Sequence, residues 1–458
     1  MGVKKMIRKI ISSALAVSLV FGTAAVLPEG FSAKSAITAR AEENEAKIIA
    51  LNTTVSNTIE QLGGFDVAIQ RYSFTLTNDG YVALNFVKGA ETNSDKAWHV
   101  RVYDSSNNLI LFREYAPGSS DDTPALGLAK GTYYIEVGPK YTYFVPTTKY
   151  SFTLNFTASN NCEKERNENV SKSTAAALDS WYYGALTGGN DDGDETDKDF
   201  FKYSIPSTDY YRLFFGKEFD ESDLGRTVTF YNANGQEIES TNIFAGDIKT
   251  ETYDIKLSKG TAYIGVTSKD GEQKPIATYK LKLIKTIPLT GGKLTLDKKT
   301  AVYTAKTIKP TTTLKLDGKT LKKGTDYSVS YKNCKSVGKA TVTITGIGKY
   351  RGTLSADFTI NPKASSVKKV TSPKTKQIKV TYKKVANVTG YQVTFATSKK
   401  FAKSKTKTAT VKGAAKTSKV IKSLKKGKTY YVKVRTYKTV GGKKYYSAYS
   451  KVKSLKTK

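Results

Sequence analysis

The chain has 458 residues, with 74 Lys and Arg against 40 Asp and Glu, and it carries only two cysteines and one histidine. This length is too great for one hydrophobic core and suits three or four domains. The cysteine and histidine counts exclude a structural zinc site made from those ligands. The sequence is rich in Tyr, Thr, Val and Gly and poor in Pro, which is typical of a β protein.

The first 41 residues are predicted to be a secretory signal peptide. A basic stretch over residues 4–9 precedes an apolar stretch over residues 10–26, and small residues follow at Ala39 and Ala41. We expect cleavage after Ala41, with a cut near Ala25 as the alternative. An uncleaved membrane anchor is disfavoured because the apolar stretch is short and rich in alanine. The protein should therefore be extracellular or on the cell surface, and should meet the membrane only through this peptide before cleavage.

The sequence motif Leu-x-Lys-Gly-x-x-Tyr occurs four times, at residues 128–134, 257–263, 321–327 and 424–430. The Lys-Gly pair suits a tight turn, and the alternating apolar residues that follow it indicate a half-buried strand. One such turn for each β-sandwich predicts four sandwiches.

The alternation after each turn divides the four copies into two pairs. In the first two copies the residue before the motif tyrosine faces the core, as at Tyr133 and Ala262. In the last two copies the tyrosine itself faces the core, at Tyr327 and Tyr430, as a tyrosine corner would. The sequence therefore predicts two different sandwich families.

Residues 45–157 and 162–286 are predicted to be two copies of one domain, because matching landmarks recur 128 or 129 residues apart. The second copy carries Glu168-Asn169 and Asp197-Lys198-Asp199-Phe200, and it resembles the bacterial pre-peptidase C-terminal domain. That resemblance implies a jelly-roll-like sandwich of the kind found on secreted enzymes and surface proteins. The first copy departs from the pattern, with residues 70–74 in place of Asp-x-Asp-aromatic.

The last two predicted domains resemble other modules of secreted proteins. Residues 291–362, with Asp317-Gly318 as a hairpin turn, resemble the tandem Ig-like repeats of Gram-positive surface proteins. Residues 365–458 resemble a fibronectin type III domain, with Tyr382 where that family usually has a core Trp. The predicted fold is thus all-β, with four tandem sandwiches: two jelly-roll-like, one Ig-like and one fibronectin type III-like.

Positive charge is concentrated in the second half of the chain. Residues 286–458 contain 43 Lys or Arg and 4 acids, whereas residues 1–285 contain 31 Lys or Arg and 36 acids. Such a stretch attracts polyanions, and export favours an anionic cell-wall polymer or polysaccharide over any specific nucleic acid. A merely soluble surface is the alternative. The predicted polyanion contacts are Lys399, Lys400, Lys403, Lys405 and Lys407.

The stretch over residues 190–199 is a candidate Ca²⁺ site, because it offers six acids in nine residues. Calcium takes several carboxylate and carbonyl oxygens from flexible loops, although this spacing differs from that of an EF-hand. A solvated loop is the alternative. Calcium is the one cofactor considered, and its predicted ligands are Asp191, Asp192, Asp194, Asp197 and Asp199.

Aromatic clusters near predicted turns are candidate ligand contacts, because their rings could stack on sugars or peptides. Core packing and strand pairing also explain aromatic residues in a sandwich. The candidate contacts are Trp181, Tyr182, Tyr183, Tyr141 and Tyr143.

Residues suited to catalysis are scarce. His99 lies in a predicted strand, with no spacing that places it beside a nucleophile and an orienting acid. Cys162 and Cys334 fall in different predicted domains, so two unpaired thiols are expected rather than a disulfide.

We therefore expect a non-enzymatic, exported binding or adhesion protein that associates with an anionic wall or matrix polymer, or with a host or matrix protein. A substrate-targeting accessory chain of a secreted hydrolase is the alternative, and an enzyme with an unrecognised carboxylate site is the third reading.

Overall fold

The computed structural model describes residues 46–59, 69–88, 98–115, 125–139, 148–187, 197–220, 225–243, 251–268 and 277–458. The predicted signal peptide lies outside them. Within these residues the chain is all-β, and its only helical segments are two short 3₁₀ turns, Val170–Lys172 and Lys403–Lys405. No helix in these ranges has the length and apolar character needed to span a membrane. The predicted all-β architecture of several sandwiches is confirmed.

The chain divides into two compact units, Met1–Leu283 (the front unit) and Ile284–Lys458 (the basic unit). The front unit begins with a sandwich whose five-stranded sheet has the order β1-β3-β8-β5-β6 and whose four-stranded sheet has the order β2-β9-β4-β7. Both sheets contribute to one core, in which Tyr72, Phe86 and Phe152 are almost fully buried. The strands are β1 (Lys47–Ile48), β2 (Thr54–Ile59), β3 (Gln70–Leu76), β4 (Gly80–Lys88), β5 (Trp98–Tyr103), β6 (Leu109–Tyr115), β7 (Leu126–Leu128), β8 (Gly131–Pro139) and β9 (Thr148–Ala158).

The second sandwich repeats this topology strand for strand. Its sheets have the orders β10-β12-β17-β14-β15 and β11-β18-β13-β16, which correspond one to one with those of the first sandwich. The duplication inferred from sequence spacing is therefore also present in the strand order. The strands are β10 (Thr174–Ala176), β11 (Tyr182–Leu186), β12 (Lys198–Ile205), β13 (Asp209–Asp220), β14 (Arg226–Tyr231), β15 (Glu237–Ile243), β16 (Glu251–Leu257), β17 (Gly260–Ser268) and β18 (Ala277–Lys285).

The alanine-rich residues 171–178 suit a helix by composition, but the structure has only one 3₁₀ turn there. After a single 3₁₀ turn capped by the Asn169 side chain, the chain extends into β10, which pairs in parallel with β12. The pairing with β12 supplies the backbone hydrogen bonds that the alanine-rich segment would otherwise satisfy as a helix.

The basic unit contains two further groups of sheets, each formed from one segment of the chain. The segment from residue 287 to 361 forms the sheets β19-β26, β20-β22-β23 and β21-β27-β25-β24. Its strands are β19 (Ile287–Pro288), β20 (Lys293–Leu296), β21 (Thr300–Val302), β22 (Thr312–Leu316), β23 (Lys319–Thr320), β24 (Tyr327–Lys332), β25 (Gly338–Gly346), β26 (Tyr350–Arg351) and β27 (Thr353–Asn361).

The segment from residue 367 to 456 forms the sheets β28-β29-β32 and β31-β30-β33-β34, with β35 also paired to β33. Tyr382, which stands where the sequence analysis expects the core Trp of a fibronectin type III domain, is buried in this core. It packs against Tyr391, with 4.6 Å between the ring centroids. The strands are β28 (Val367–Thr371), β29 (Ile378–Tyr382), β30 (Gly390–Ala396), β31 (Thr406–Lys412), β32 (Ser418–Ile421), β33 (Thr429–Val440), β34 (Lys443–Tyr446) and β35 (Lys453–Lys456).

The strand phases predicted after the Lys-Gly turns agree with the burial pattern in the first, third and fourth copies, whereas in the second copy Tyr263 is buried as well as Ala262. Tyr133 and Ala262 are buried in the front unit, and Tyr327 and Tyr430 are buried in the basic unit. The Tyr430 hydroxyl accepts a hydrogen bond of 3.1 Å from the backbone N–H of Lys425, so it ties the strand to its own turn.

Replacing Tyr430 with Phe should lower the free energy of unfolding of the sandwich formed by residues 367–456 by about 1 kcal/mol, because the Lys425 N–H loses its side-chain acceptor. Tyr431→Phe on the next, half-buried position is the matched control and should change stability little. Calorimetry of the full chain measures both, and equal melting temperatures for the two variants would contradict the expectation.

Candidate metal centre

The segment just before β10 carries two acids into the interior of the front unit. The Glu163 N–H donates to the Tyr183 carbonyl at 2.9 Å, so the segment runs alongside β11. Two residues later the Glu165 N–H donates to the Gly127 carbonyl of the first sandwich at 3.1 Å. The Asn167 carbonyl then accepts from the Phe200 N–H at 3.0 Å. Side chains at alternate positions of this extended segment therefore face the start of β12.

The start of β12 supplies the other acids. Asp199 is fully buried, and its Oδ2 accepts a hydrogen bond of 2.5 Å from the Tyr279 hydroxyl. Asp197, just before the strand, accepts from both the N–H and the hydroxyl of Thr187, at 2.5 and 2.9 Å. One carboxylate oxygen from each of Glu163, Glu165 and Asp199 lies within 4.8 Å of the others.

Three carboxylate oxygens of this centre are buried and have no hydrogen-bond partner among the described residues: Glu163 Oε2, Glu165 Oε1 and Asp199 Oδ1. The Asn167 Oδ1, on the same segment as the two glutamates, is also buried without such a partner. An unsatisfied buried polar atom costs roughly 1–3 kcal/mol, and more when it is charged. Three such carboxylate oxygens in one cluster indicate a site for a further group.

The electrostatics of the centre support the same conclusion. Burial raises the pKa of Glu163, Glu165 and Asp199 well above their usual range, and the neighbouring carboxylates raise it further. Burial also raises the pKa of Asp197. Ionised carboxylates at such short separation repel one another strongly, so the cluster needs either protons or a cation.

The donor set fits a hard divalent cation. Among the described residues it consists of three carboxylates, without a thiolate or imidazole, which matches Ca²⁺ rather than zinc. A buried site made by protein atoms also suits Ca²⁺ better than Mg²⁺, which keeps several of its waters.

Of the five predicted calcium ligands, the structure describes two. Asp191, Asp192 and Asp194 lie outside the described residues, whereas Asp197 and Asp199 lie at the centre. Sequence reasoning missed Glu163 and Glu165. The signal for them was the alternation Glu-x-Glu-x-Asn over residues 163–167, which puts three oxygen-bearing side chains on one face of an extended segment.

The first sandwich has an amide in place of a carboxylate at the corresponding position. Gln70 pairs with Val137 as Asp199 pairs with Val266, so Gln70 stands where the second sandwich has its buried Asp. Gln70 Oε1 accepts from the Lys47 ammonium at 3.0 Å and from the Asn57 amide at 3.3 Å, and Asn57 also donates to the Tyr72 hydroxyl at 2.9 Å. Donors from the chain itself, a lysine among them, therefore satisfy the Gln70 oxygen.

The candidate aromatic contacts divide between core and surface. Tyr182 is buried in the core and its hydroxyl accepts from the Ala177 N–H, so its prediction as a ligand contact is corrected. Trp181 and Tyr183 are half-buried on the outer face of the β11 sheet, and Lys280 and Lys282 lie over the Trp181 ring at 5.6 and 5.1 Å. Tyr141 and Tyr143 lie outside the described residues.

The five predicted polyanion contacts are all exposed: Lys399, Lys400, Lys403 and Lys405 lie between β30 and β31, and Lys407 is the second residue of β31. His99 packs against the Phe112 ring, with 4.8 Å between ring centroids. Cys162 and Cys334 are buried free thiols, and burial raises the pKa of Cys162 to about 11.

No family model and no curated protein matches this chain. Among solved structures, the pre-peptidase C-terminal domain of a collagenase from Bacillus anthracis matches at 19% identity, covering 24% of this chain and 95% of that domain, with a TM-score of 0.19. A segment of two fibronectin type III domains from chicken tenascin matches at 12% identity, covering 56% of this chain and 95% of the segment, with a TM-score of 0.20. The FN1–FN3 domains of chicken CNTN1 match at 10% identity, covering 88% of this chain and 99% of that one, with a TM-score of 0.18.

Proposed function

We propose that this chain is an exported, non-catalytic binding protein whose basic unit attaches it to an anionic polymer of the cell wall or extracellular matrix. The observation that carries this proposal is the charge arrangement of the basic unit. Its lysines are mostly exposed, and the 4 acids among residues 286–458 are engaged in local structure.

Each of those acids has a local role. Asp297 accepts from the Thr311 N–H at 2.9 Å, and Asp326 accepts from the Lys322 N–H at 2.7 Å. Asp357 pairs with Lys339 at 2.7 Å, and Asp317 occupies a hairpin turn with a φ of 47°. Such contacts neutralise only a few of the 43 Lys and Arg residues, so most of the positive field is uncompensated within the segment.

A polymer with closely spaced anionic groups is the ligand that this field fits. Cationic side chains displace the counterions condensed on such a polymer, and the released counterions favour binding. Predicted export puts anionic wall polymers and acidic polysaccharides within reach, and makes intracellular nucleic acid the less suitable partner.

The front unit would present the surface that engages the target, and Ca²⁺ would stabilise it. Glu163, Glu165 and Asp199 would hold the ion, with Asp197 beside them. The ion would supply charge neutralisation, which allows acids from the linker and from β12 to stay ionised while buried.

The full mature chain should bind poly(glycerol phosphate) with an affinity that falls steeply as salt rises, because binding releases counterions. Lys→Gln changes at the five predicted polyanion contacts should weaken binding in graded steps. Surface plasmon resonance over a salt series tests this, with neutral dextran as the control polymer and residues 42–285 as the control protein. Salt-insensitive binding, or equal binding to dextran, would overturn the proposal.

A further inference from the structure

The connection between β30 and β31 contains a phenylalanine in a strained backbone conformation. Phe401 has a φ of 53°, a region that bulky residues rarely adopt without compensating contacts. Its N–H donates to the Ser398 carbonyl at 3.0 Å, which closes a turn in the middle of the connection. Lys399, Lys400, Lys403 and Lys405 flank it, and all four are exposed.

The Phe401 ring is the end of a ladder of alternating rings and cations. The Lys433 Nζ lies 4.1 Å from the centroid of Phe401 and 4.2 Å from that of Tyr449. The Arg435 guanidinium lies 4.6 Å from Tyr449 and 3.9 Å from Tyr446. Stacking of a cation on an aromatic face is attractive because the ring face is electron-rich.

The ladder is fixed to the sheet at several points. Lys433 and Arg435 are alternate residues of β33, directly opposite Thr394 and Gln392 of β30. The Arg435 Nε donates to Gln392 Oε1 at 2.7 Å, and the hydroxyls of Tyr449 and Thr394 lie 3.1 Å apart. Phe401 therefore contacts β33 through Lys433, and Tyr449 and Arg435 link the same ladder to β30.

Aromatic rings take the place that carboxylates would normally have beside these cations. Residues 365–458 contain no Asp or Glu, so their own side chains offer Lys433 and Arg435 no ion pair. The rings hold both cations in place while leaving the net positive charge of the sandwich unchanged.

We infer that the ladder is a positioning device. Phe401 and Lys433 hold the lysine-bearing connection in one conformation, so that its ammonium groups form a preorganised site for a polymer of repeating phosphate or carboxylate groups. This inference rests on the proposed polyanion binding and assigns it to one place in the basic unit. A loop that is already ordered loses less conformational entropy on binding than a mobile one.

The test is the binding of the full chain to poly(glycerol phosphate). Phe401→Ala keeps every lysine, yet it should lower the affinity about tenfold, because the loop loses its anchor. Lys433→Gln should have a similar effect and Lys433→Arg should restore binding. Tyr445→Ala is the matched control, because it removes a ring stacked on Lys443 of the same sheet, at 5.6 Å, outside the ladder. It should leave the affinity unchanged.

A double-mutant cycle separates positioning from general destabilisation. In a chain whose five predicted polyanion contacts are changed to Gln, Phe401→Ala should have no further effect on affinity. Equal losses in both backgrounds, or wild-type affinity for Phe401→Ala and Lys433→Gln, would overturn the positioning role and leave salt-dependent polymer binding intact. Absence of polymer binding by the unmodified chain would overturn both proposals.

Discussion

Saturating Ca²⁺ is expected to raise the melting temperature of the front unit by roughly 5–10 °C. A ligand that binds only the folded state at a hundred times its dissociation constant stabilises that state by about 2.7 kcal/mol. For a unit of this size each kcal/mol corresponds to about 2–4 °C. Trp98 and Trp181, the two tryptophans of the chain, both lie in this unit, so intrinsic fluorescence can follow its unfolding.

Removing the charge of Glu163 and Glu165 should raise the stability of the metal-free protein and abolish its stabilisation by Ca²⁺. Glu163→Gln combined with Glu165→Gln should make the metal-free protein more stable, because repulsion among buried carboxylates is removed. The same variant should lose the response to Ca²⁺. Asp179→Asn is the matched control, since the Asp179 side chain is 82% exposed, and it should keep the wild-type response. A variant that still responds to Ca²⁺ would place the ion elsewhere.

The calcium effect should also depend on pH. Burial raises the pKa of Glu163, Glu165 and Asp199 in the folded state, so the folded protein binds protons more tightly than the unfolded chain. The contribution of these three acids to metal-free stability should therefore be fully present below the unfolded carboxyl pKa of about 4 and should be lost as pH rises through their folded pKa values. Protons and Ca²⁺ compete for the same oxygens, so the calcium-induced shift in melting temperature should grow from pH 5 to pH 7.5. Thermal unfolding with and without chelator measures this, and a shift independent of pH would contradict it.

Gly127→Ala is expected to disturb the contact between the two front sandwiches. An added Cβ would lie 2.4 Å from the Glu163 carbonyl oxygen and 2.7 Å from its Cγ, far inside van der Waals contact. Such overpacking costs roughly 1–3 kcal/mol. Glu163 would have to move, so the calcium affinity should fall along with the stability.

Gly138→Ala is the control for this change, because the atom nearest its added Cβ would be Ile69 Cγ1, at 3.3 Å. Calcium titration and thermal unfolding of both variants provide the comparison. Gly127→Ala should weaken calcium binding by about tenfold, on the assumption that most of the strain falls on Glu163. Equal behaviour of the two variants would mean that the contact at Gly127 does not position the metal centre.

The sequence predicts much of the fold because its signals are local. The Lys-Gly turns and the alternation after them depend on neighbouring residues, and burial of Tyr133 and Tyr430 follows from the same alternation. Tyr182 and Tyr183 show that aromatic composition alone does not predict which ring is buried. They are adjacent rings of one strand, and only strand parity assigns one to the core and the other to the surface.

The metal centre depends on contacts between distant parts of the chain. Glu165 is buried because its backbone pairs with Gly127 of the preceding sandwich, a relationship that acid density along the sequence does not reveal. Acid density predicts a site at residues 190–199, whereas two of the buried acids, Glu163 and Glu165, lie in the segment before β10. The conformation of Phe401 is likewise set by Lys433, which lies on another strand.

The absence of acids from residues 365–458 has a consequence for how the surroundings could control attachment. This segment also contains no His or Cys, so its ionisable side chains are Lys, Arg and Tyr, whose usual pKa values lie near 10 or above. Its charge is therefore constant across the acidity range of natural environments. A phosphodiester polymer also keeps its charge there. Changes in acidity would leave the attachment in place, and ionic strength would be the variable that releases it.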